Sequence, residues 1–145
     1  MIELERQLIK HEGSKKDGPH GNHILYRDTV GKWTCGYGRN LSDVGISEDE
    51  ALYLLRNDII KAKNGITKNL PWVINLDRTR CDVLVNMAFN MGINGLLTFK
   101  NTLELVKEGK YKEASQTMLQ SKWARQVKGR ALELSKQMET GKYGG

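Results

Sequence analysis

Residues 83–89 read Val-Leu-Val-Asn-Met-Ala-Phe, and a helix through them is apolar nearly all round. Such a helix is stable only when other elements bury it. Asp77 can cap its start and Gly92 ends it, with Gly95 in the next turn. The segments that follow are short and amphipathic: Leu103 to Lys107, Lys112 to Leu119 and Arg130 to Met138. They supply the cover. Upstream, Ser47-Glu48-Asp49-Glu50 forms a capping box, in which the serine hydroxyl and the glutamate satisfy each other's backbone N–H groups. Leu52, Leu55, Ile59 and Ala62 then make one helical stripe to about Lys63, where Gly65 is expected to break it.

The first third reads differently. Leu4, Leu8 and Ile9 fit a short helix that runs into His11-Glu12, with Gly13 as its stop. Residues 13–23, GSKKDGPHGNH, are a polar loop without periodicity or apolar anchor. Ile24-Leu25-Tyr26, a turn from Asp28 to Lys32, and Trp33 to Tyr37 read as a small antiparallel hairpin sheet. Gly36 and Gly38 let the backbone approach another surface closely. The fold class is therefore α+β and mainly α-helical. A small N-terminal lobe carrying the hairpin sheet is joined by the Leu52–Ala62 helix to a helical C-terminal lobe, with a cleft between them. We expect one domain over 1–145, with 1–63 as the N-terminal lobe plus linking helix and 64–145 as the helical lobe.

At 145 residues the chain is long enough for one real core and too short for two ordinary domains. No window approaches a membrane span, and the first residues hold neither a basic leader nor an apolar signal segment. Cys35 and Cys81 read as two reduced thiols, one in a strand and one in a helix. His20 and His23 could pair at a metal, but no cysteine lies near them and solvated loop histidines are the plainer reading, so no metal and no cofactor are expected. The net charge is +6, and its excess is uneven. Residues 1–65 carry ten groups of each sign, whereas residues 66–145 carry thirteen basic and seven acidic groups. A basic half suits an anionic partner such as a cell wall, a membrane surface or nucleic acid, or is simply a solvated surface.

Three residues carry the chemistry. Glu12 and Asp28 lie on either side of a glycine-rich loop, and Thr34 follows six residues after the second carboxylate. Glycoside hydrolysis needs one carboxylic acid to protonate the leaving oxygen and one carboxylate to activate water or stabilise positive charge. A hydroxyl can hold that water in line. Each residue also has a plain structural reading. Asp28 opens a turn, which aspartate favours anyway. Glu12, however, ends a helix, where the macrodipole disfavours a negative charge, and function often explains such a local inconsistency.

The run Glu12-Gly13, then Tyr26-x-Asp28-Thr29-x-Gly31-x-x-Thr34-x-Gly36-x-Gly38, resembles the active-site signature of the phage lysozymes of the T-even type, endolysins of glycoside hydrolase family 24. Phe89-Asn90-Met91-Gly92 with Phe99 and Asn101 resembles that family's central helix and following turn. Ser121-Lys122-Trp123 with Gln126 and Arg130 resembles its C-terminal Trp/Arg block. The three blocks stand in the family's order over nearly the whole chain. The resemblance implies a lysozyme-like fold and an endolysin muramidase that cleaves the β-1,4 bond between N-acetylmuramic acid and N-acetylglucosamine for host cell lysis. It makes Glu12 the general acid, Asp28 the second carboxylate, Thr34 its helper in holding water, and Arg130 a supporting cation beside Glu12. Asn40, Phe89, Asn90, Thr102 and Thr117 fall at its substrate-contacting positions. Asn40 stands where the best-known members carry an aliphatic residue, Arg39 where they carry histidine, and the loop between Glu12 and Asp28 is several residues longer than theirs.

The expected partner is bacterial peptidoglycan, met by a monomer without stable membrane insertion and without nucleic acid. The expected location is the host bacterial cytoplasm, with action in the periplasm after release. Two alternatives stand beside this reading. A lytic transglycosylase on the same fold would use Glu12 alone, and Asp28 and Thr34 argue against it. A non-catalytic basic module binding nucleic acid or cell wall explains the charge but leaves the signature unexplained.

Overall fold

In the computed structural model, which describes residues 1–144, the chain forms seven α-helices and one three-stranded antiparallel sheet. They run α1 (Glu3–Glu12), β1 (Tyr26–Arg27), β2 (Trp33–Cys35), β3 (Arg39–Asn40), α2 (Glu48–Asn69), α3 (Arg78–Leu97), α4 (Lys100–Lys107), α5 (Tyr111–Leu119), α6 (Lys122–Val127) and α7 (Gly129–Thr140). The mainly helical α+β class is as the sequence indicates. The chain divides into two compact units, Met1–Tyr53 and Leu54–Gly145, so the dividing point falls inside α2.

In the first unit, β2 is the central strand. Tyr26 faces Thr34 across β1 and β2, and Thr34 faces Asn40 across β2 and β3. Side chains alternate along a strand, so these three share one face while Arg27 and Trp33 share the other. On that second face the Arg27 guanidinium lies 4.4 Å from the Trp33 ring centre. Thr34 is the one buried residue among positions 1–53. The capping box forms as read: Ser47 Oγ accepts from the Glu50 N–H at 3.2 Å, and Glu50 Oε1 accepts from the Ser47 N–H at 2.8 Å. Arg39 donates to the same oxygen at 2.7 Å. That bond, followed by the Ser47 backbone bond, pulls the Glu50 carboxyl down to about 2.

The second unit holds the apolar core. Val83, Leu84, Met87, Leu96, Val106, Met118 and Met138 are fully buried or nearly so. Each such side chain contributes roughly 1.5–3 kcal/mol relative to an exposed one. Asp77 caps α3 by accepting from the Arg80 N–H at 3.1 Å. α5 packs on α4 and α7, and α7 also packs on α3 and α6. The end of α7 is closed by Gly141 in the left-handed region and by Arg80, which donates Nε to the Met138 carbonyl at 2.6 Å and Nη2 to the Glu139 carbonyl at 2.9 Å.

Four details differ from the expectations. Gly65 does not break α2, which continues to Asn69. A Cβ there would lie 3.3 Å from Ile93 Cβ, so the glycine admits a close neighbour and the helix tolerates it. Phe89 does not join the core with the rest of its run and is 42% exposed. The strand β3 and the helix α6 were not foreseen. α6 is capped by Ser121, whose Oγ accepts from the Ala124 N–H at 3.1 Å. Gly92, expected to end the helix, breaks it at φ +80°, and helix resumes beyond it to Leu97.

Candidate active site

In the first unit Glu12 lies against the Gly38 backbone, and Asp28 and Thr34 are each tied to the backbone of Lys32. Glu12 is the last residue of α1. The helix stops there because Gly13 takes φ +67° and returns its N–H to the Ile9 carbonyl at 3.0 Å. Lys10 and His11 in the same turn offset the unfavourable charge at the helix end. The Glu12 side chain is exposed, and its carboxyl lies against the backbone of Gly38. A Cβ on Gly38 would come within 2.9 Å of Glu12 Oε2 and 3.0 Å of its Cγ. Gly38 also holds φ +83°, so glycine is required there twice over. Gly36, at φ +66°, has open space where a Cβ would point. Of the two glycines read as sites of close approach, only Gly38 is one.

Asp28 and Thr34 are locked on opposite sides of the same residue. Asp28 Oδ1 accepts from the Val30 N–H at 3.0 Å and the Lys32 N–H at 2.8 Å. Thr34 Oγ1 donates to the Lys32 carbonyl at 3.0 Å. The Asp28 N–H donates to that carbonyl as well, at 2.9 Å. Both Asp28 bonds use one oxygen, which leaves Oδ2 for a further donor. The Lys32 ammonium turns away to Asp43, at 3.2 Å. Lys32, followed by Asn40, holds the Asp43 carboxyl below its ordinary range. Lys32 was missed in the sequence because its part is played by its peptide groups, which any residue type supplies.

The other expected residues are placed as follows. Asn40 is bound into a turn: its Nδ2 donates to Asp43 Oδ2 at 3.1 Å and its Oδ1 accepts from the Asp43 N–H at 3.0 Å. In the second unit, Arg130 donates Nε and Nη2 to Asn86 Oδ1 at 2.9 and 2.7 Å. The pair borders a cavity of about 450 Å³ together with Phe89, Asp82 and Tyr143. Asn86 was not singled out in the sequence, although it lies one helical turn before Phe89 and Asn90 and so shares their side of α3. Asn90 Oδ1 accepts from Trp123 Nε1 at 2.8 Å, and Trp123 is buried with its ring edge-on to Phe99. The Thr102 and Thr117 hydroxyls bond each other at 2.6 Å, and Thr102 is buried.

Cys81 is partly buried in α3, and that burial pushes its thiol up, away from the reactive thiolate. Among the described residues no group of three or more His, Cys, Asp or Glu could hold a metal ion. No helix among them is long and apolar enough to cross a membrane.

Comparison with known proteins bears on the family of the chain. The family described as Phage lysozyme matches residues 20–139. The chain is 30% identical over 173 aligned residues to Probable T4-type lysozyme 1 of Dictyostelium discoideum, an alignment covering 97% of this chain and 96% of that protein. It is 28% identical to Probable T4-type lysozyme 2 of the same organism, with the same coverage. It is also 34% identical over 95 residues to the Endolysin of Bacillus phage B103, covering 63% of this chain and 34% of that protein. The family match begins after Glu12, whereas the near full-length alignments extend across the first unit. The family match over residues 20–139 and the near full-length likeness to a T4-type lysozyme place the chain in the phage lysozyme family, as a glycosidase of the lysozyme type.

Proposed function

We propose that the chain hydrolyses the β-1,4 bond between N-acetylmuramic acid and N-acetylglucosamine in bacterial peptidoglycan. Glu12 protonates the leaving glycosidic oxygen. Asp28, with Thr34, holds and deprotonates the attacking water, and the anomeric centre inverts. The observation that carries this reading is the locking of Asp28 and Thr34 around Lys32. One carboxylate oxygen is fixed by two backbone N–H groups, so the other has a defined direction. The Thr34 hydroxyl donates its proton to the protein and keeps lone pairs for the water. An inverting pair needs roughly 6.5–9.5 Å between its carboxyl groups to admit that water.

In this reading Phe89, exposed beside the Asn86–Arg130 pair, offers the glycan an apolar face. Asn40, Asn90, Thr102 and Thr117 bear on the glycan mainly by holding neighbouring side chains in place, through bonds to Asp43, to Trp123 and between the two threonines. The biological setting we assign is lysis of a bacterial host, by a monomer acting on the wall after release from the host cytoplasm.

The test is lysis of chloroform-treated Gram-negative cells, followed by turbidity. Glu12→Gln keeps the shape of the side chain but cannot donate a proton. It should stay folded by circular dichroism and lose about 10²–10⁴-fold in rate. Near wild-type lysis by that variant would overturn the assignment. Proton NMR of the first-formed product should show the inverted anomer, and an anhydro-muramic product would instead select a transglycosylase.

A further inference from the structure

The segment between Glu12 and β1 was expected to be a polar loop without an anchor. It is closed and anchored instead. The Ile24 N–H donates to the Lys15 carbonyl at 2.9 Å, and the Gly18 N–H donates to the Asn22 carbonyl at 3.1 Å. Pro19–Gly21 form a single tight turn between these ties, with His20 at φ +59°. The interior is close-packed at Gly18, where a Cβ would lie 2.6 Å from Ile24 Cγ2. The N–H groups of Gly18, Gly21, Asn22 and Ile24 are bonded within the segment, which closes it on itself.

Its side chains converge on Tyr37. The His23 ring meets Tyr37 edge-on, with centres 4.8 Å apart and planes at 81°. The Lys16 ammonium lies 5.4 Å from the centre of the same ring. His23 Nδ1 is buried and has no hydrogen-bond partner. A histidine free to turn outward would hydrate that nitrogen, so the contact with Tyr37 outweighs it. Tyr37 in turn stands between Gly36 and Gly38, both at positive φ, in the turn that links β2 to β3. A turn with glycine on either side of one residue has little stiffness of its own. Gly38 is the residue on which the Glu12 carboxyl rests.

We propose that the segment Gly13–His23 is a clamp for the Glu12 carboxyl, and that His23 and Tyr37 are its positioning residues. The chain leaves Glu12 at Gly13, folds on itself, and returns His23 and Lys16 to Tyr37. By fixing Tyr37, it fixes the Gly38 backbone that bears on the acid. Glu12 is therefore held from two directions, by the end of α1 and by the braced turn. This inference rests on the reading of Glu12 as the general acid. It makes the segment a device for turnover.

The experiment measures kcat and KM separately on soluble uncrosslinked peptidoglycan chains, for His23→Ala, His23→Phe and Tyr37→Ala. Folding is checked by circular dichroism, and Tyr37→Leu replaces Tyr37→Ala if the latter does not fold. A displacement of 1 Å at a catalytic group can lower the rate 10²-fold, so a loosened rest for Glu12 should lower kcat by about tenfold. His23→Ala and Tyr37→Ala should show that loss with KM unchanged. His23→Phe keeps an aromatic edge against Tyr37 and should restore most of kcat. Wild-type kcat in both alanine variants would overturn the clamp. So would a loss confined to KM, or no rescue by phenylalanine. Glu12→Gln on the same substrate separates the two readings. If it stays active, the assignment of the acid has failed; if it is dead while the His23 and Tyr37 variants turn over normally, only the clamp has failed.

Discussion

Gly38→Ala tests whether the rest beneath Glu12 matters for chemistry or only for folding. Two effects are superimposed at this position. The backbone sits at φ +83°, which costs a residue with a Cβ about 1–2 kcal/mol. The new Cβ would also meet Glu12 Oε2 at 2.9 Å, Cγ at 3.0 Å and Cδ at 3.1 Å. Ordinary contact needs some tenths of an ångström more, so the carboxyl must retreat by that amount. Because it is the end of a flexible side chain, the retreat adds little to the stability loss but moves the proposed proton donor. If 1 Å can lower a rate 10²-fold, about half that distance should lower it roughly tenfold. Gly36→Ala supplies the control, with φ +66° and nothing within 4 Å of the added carbon. Both variants should melt about 3–6 °C below wild type by circular dichroism. Only Gly38→Ala should lose turnover when clearing of chloroform-treated cells is measured well below either melting temperature. Equal activity in the two variants would refute the idea that Gly38 positions the acid.

Arg80→Ala removes two charged bonds to the last carbonyls of α7, at Met138 and Glu139, together with a guanidinium lying 3.6 Å from the Tyr111 ring centre. It should destabilise the protein by about 1.5–3 kcal/mol in urea unfolding, with an unchanged m-value. Glu50 has its folded-state pKa depressed from 4.5 to about 2 by Arg39 and the Ser47 N–H. A depressed carboxyl contributes stability that is complete above about 4.5 and is lost as pH falls toward 2. Glu50→Gln should therefore flatten the acid limb of the melting temperature over that window, and an unchanged limb would show that the pair contributes nothing. Asp28→Asn keeps an oxygen acceptor for the Val30 and Lys32 N–H groups, so it should melt near wild type yet lose lysis, whereas Asp28→Ala should lose both.

Much of the helical unit was legible because burial leaves a periodic trace. The all-round apolar run of α3 announced the core, and the capping residues Ser47 and Asp77 act as their types suggest. The errors have physical causes. Phe89 belongs to an apolar run by composition, but its side of α3 also carries Asp82 and Asn86, and those polar neighbours face an open cavity. Gly65 carries a low helix propensity, yet the closeness of Ile93 makes its missing side chain an asset. β3 has two residues and α6 has six, too few for either period to show. Pairs such as Arg130–Asn86 and Trp123–Asn90 join residues far apart in the chain, and no local pattern encodes them.

The candidate site was legible for a different reason. Its geometry is built from backbone groups that require particular residue types: glycine where Glu12 must approach a main chain, and an aspartate that can accept its own turn's N–H groups. The turn-forming and the catalytic readings of Asp28 are for this reason not rivals. The two bonds that make aspartate a good turn opener are the bonds that aim its other oxygen. The same holds for Glu12. A glutamate ending a helix is locally unfavourable, but the helix end is where a side chain can lie across a glycine turn instead of along a helix face. A motif written in glycines, one aspartate and one threonine therefore specifies this backbone framework. The partners that only side chains could specify, among them His23 on Tyr37, lie outside that motif and had to be found in three dimensions.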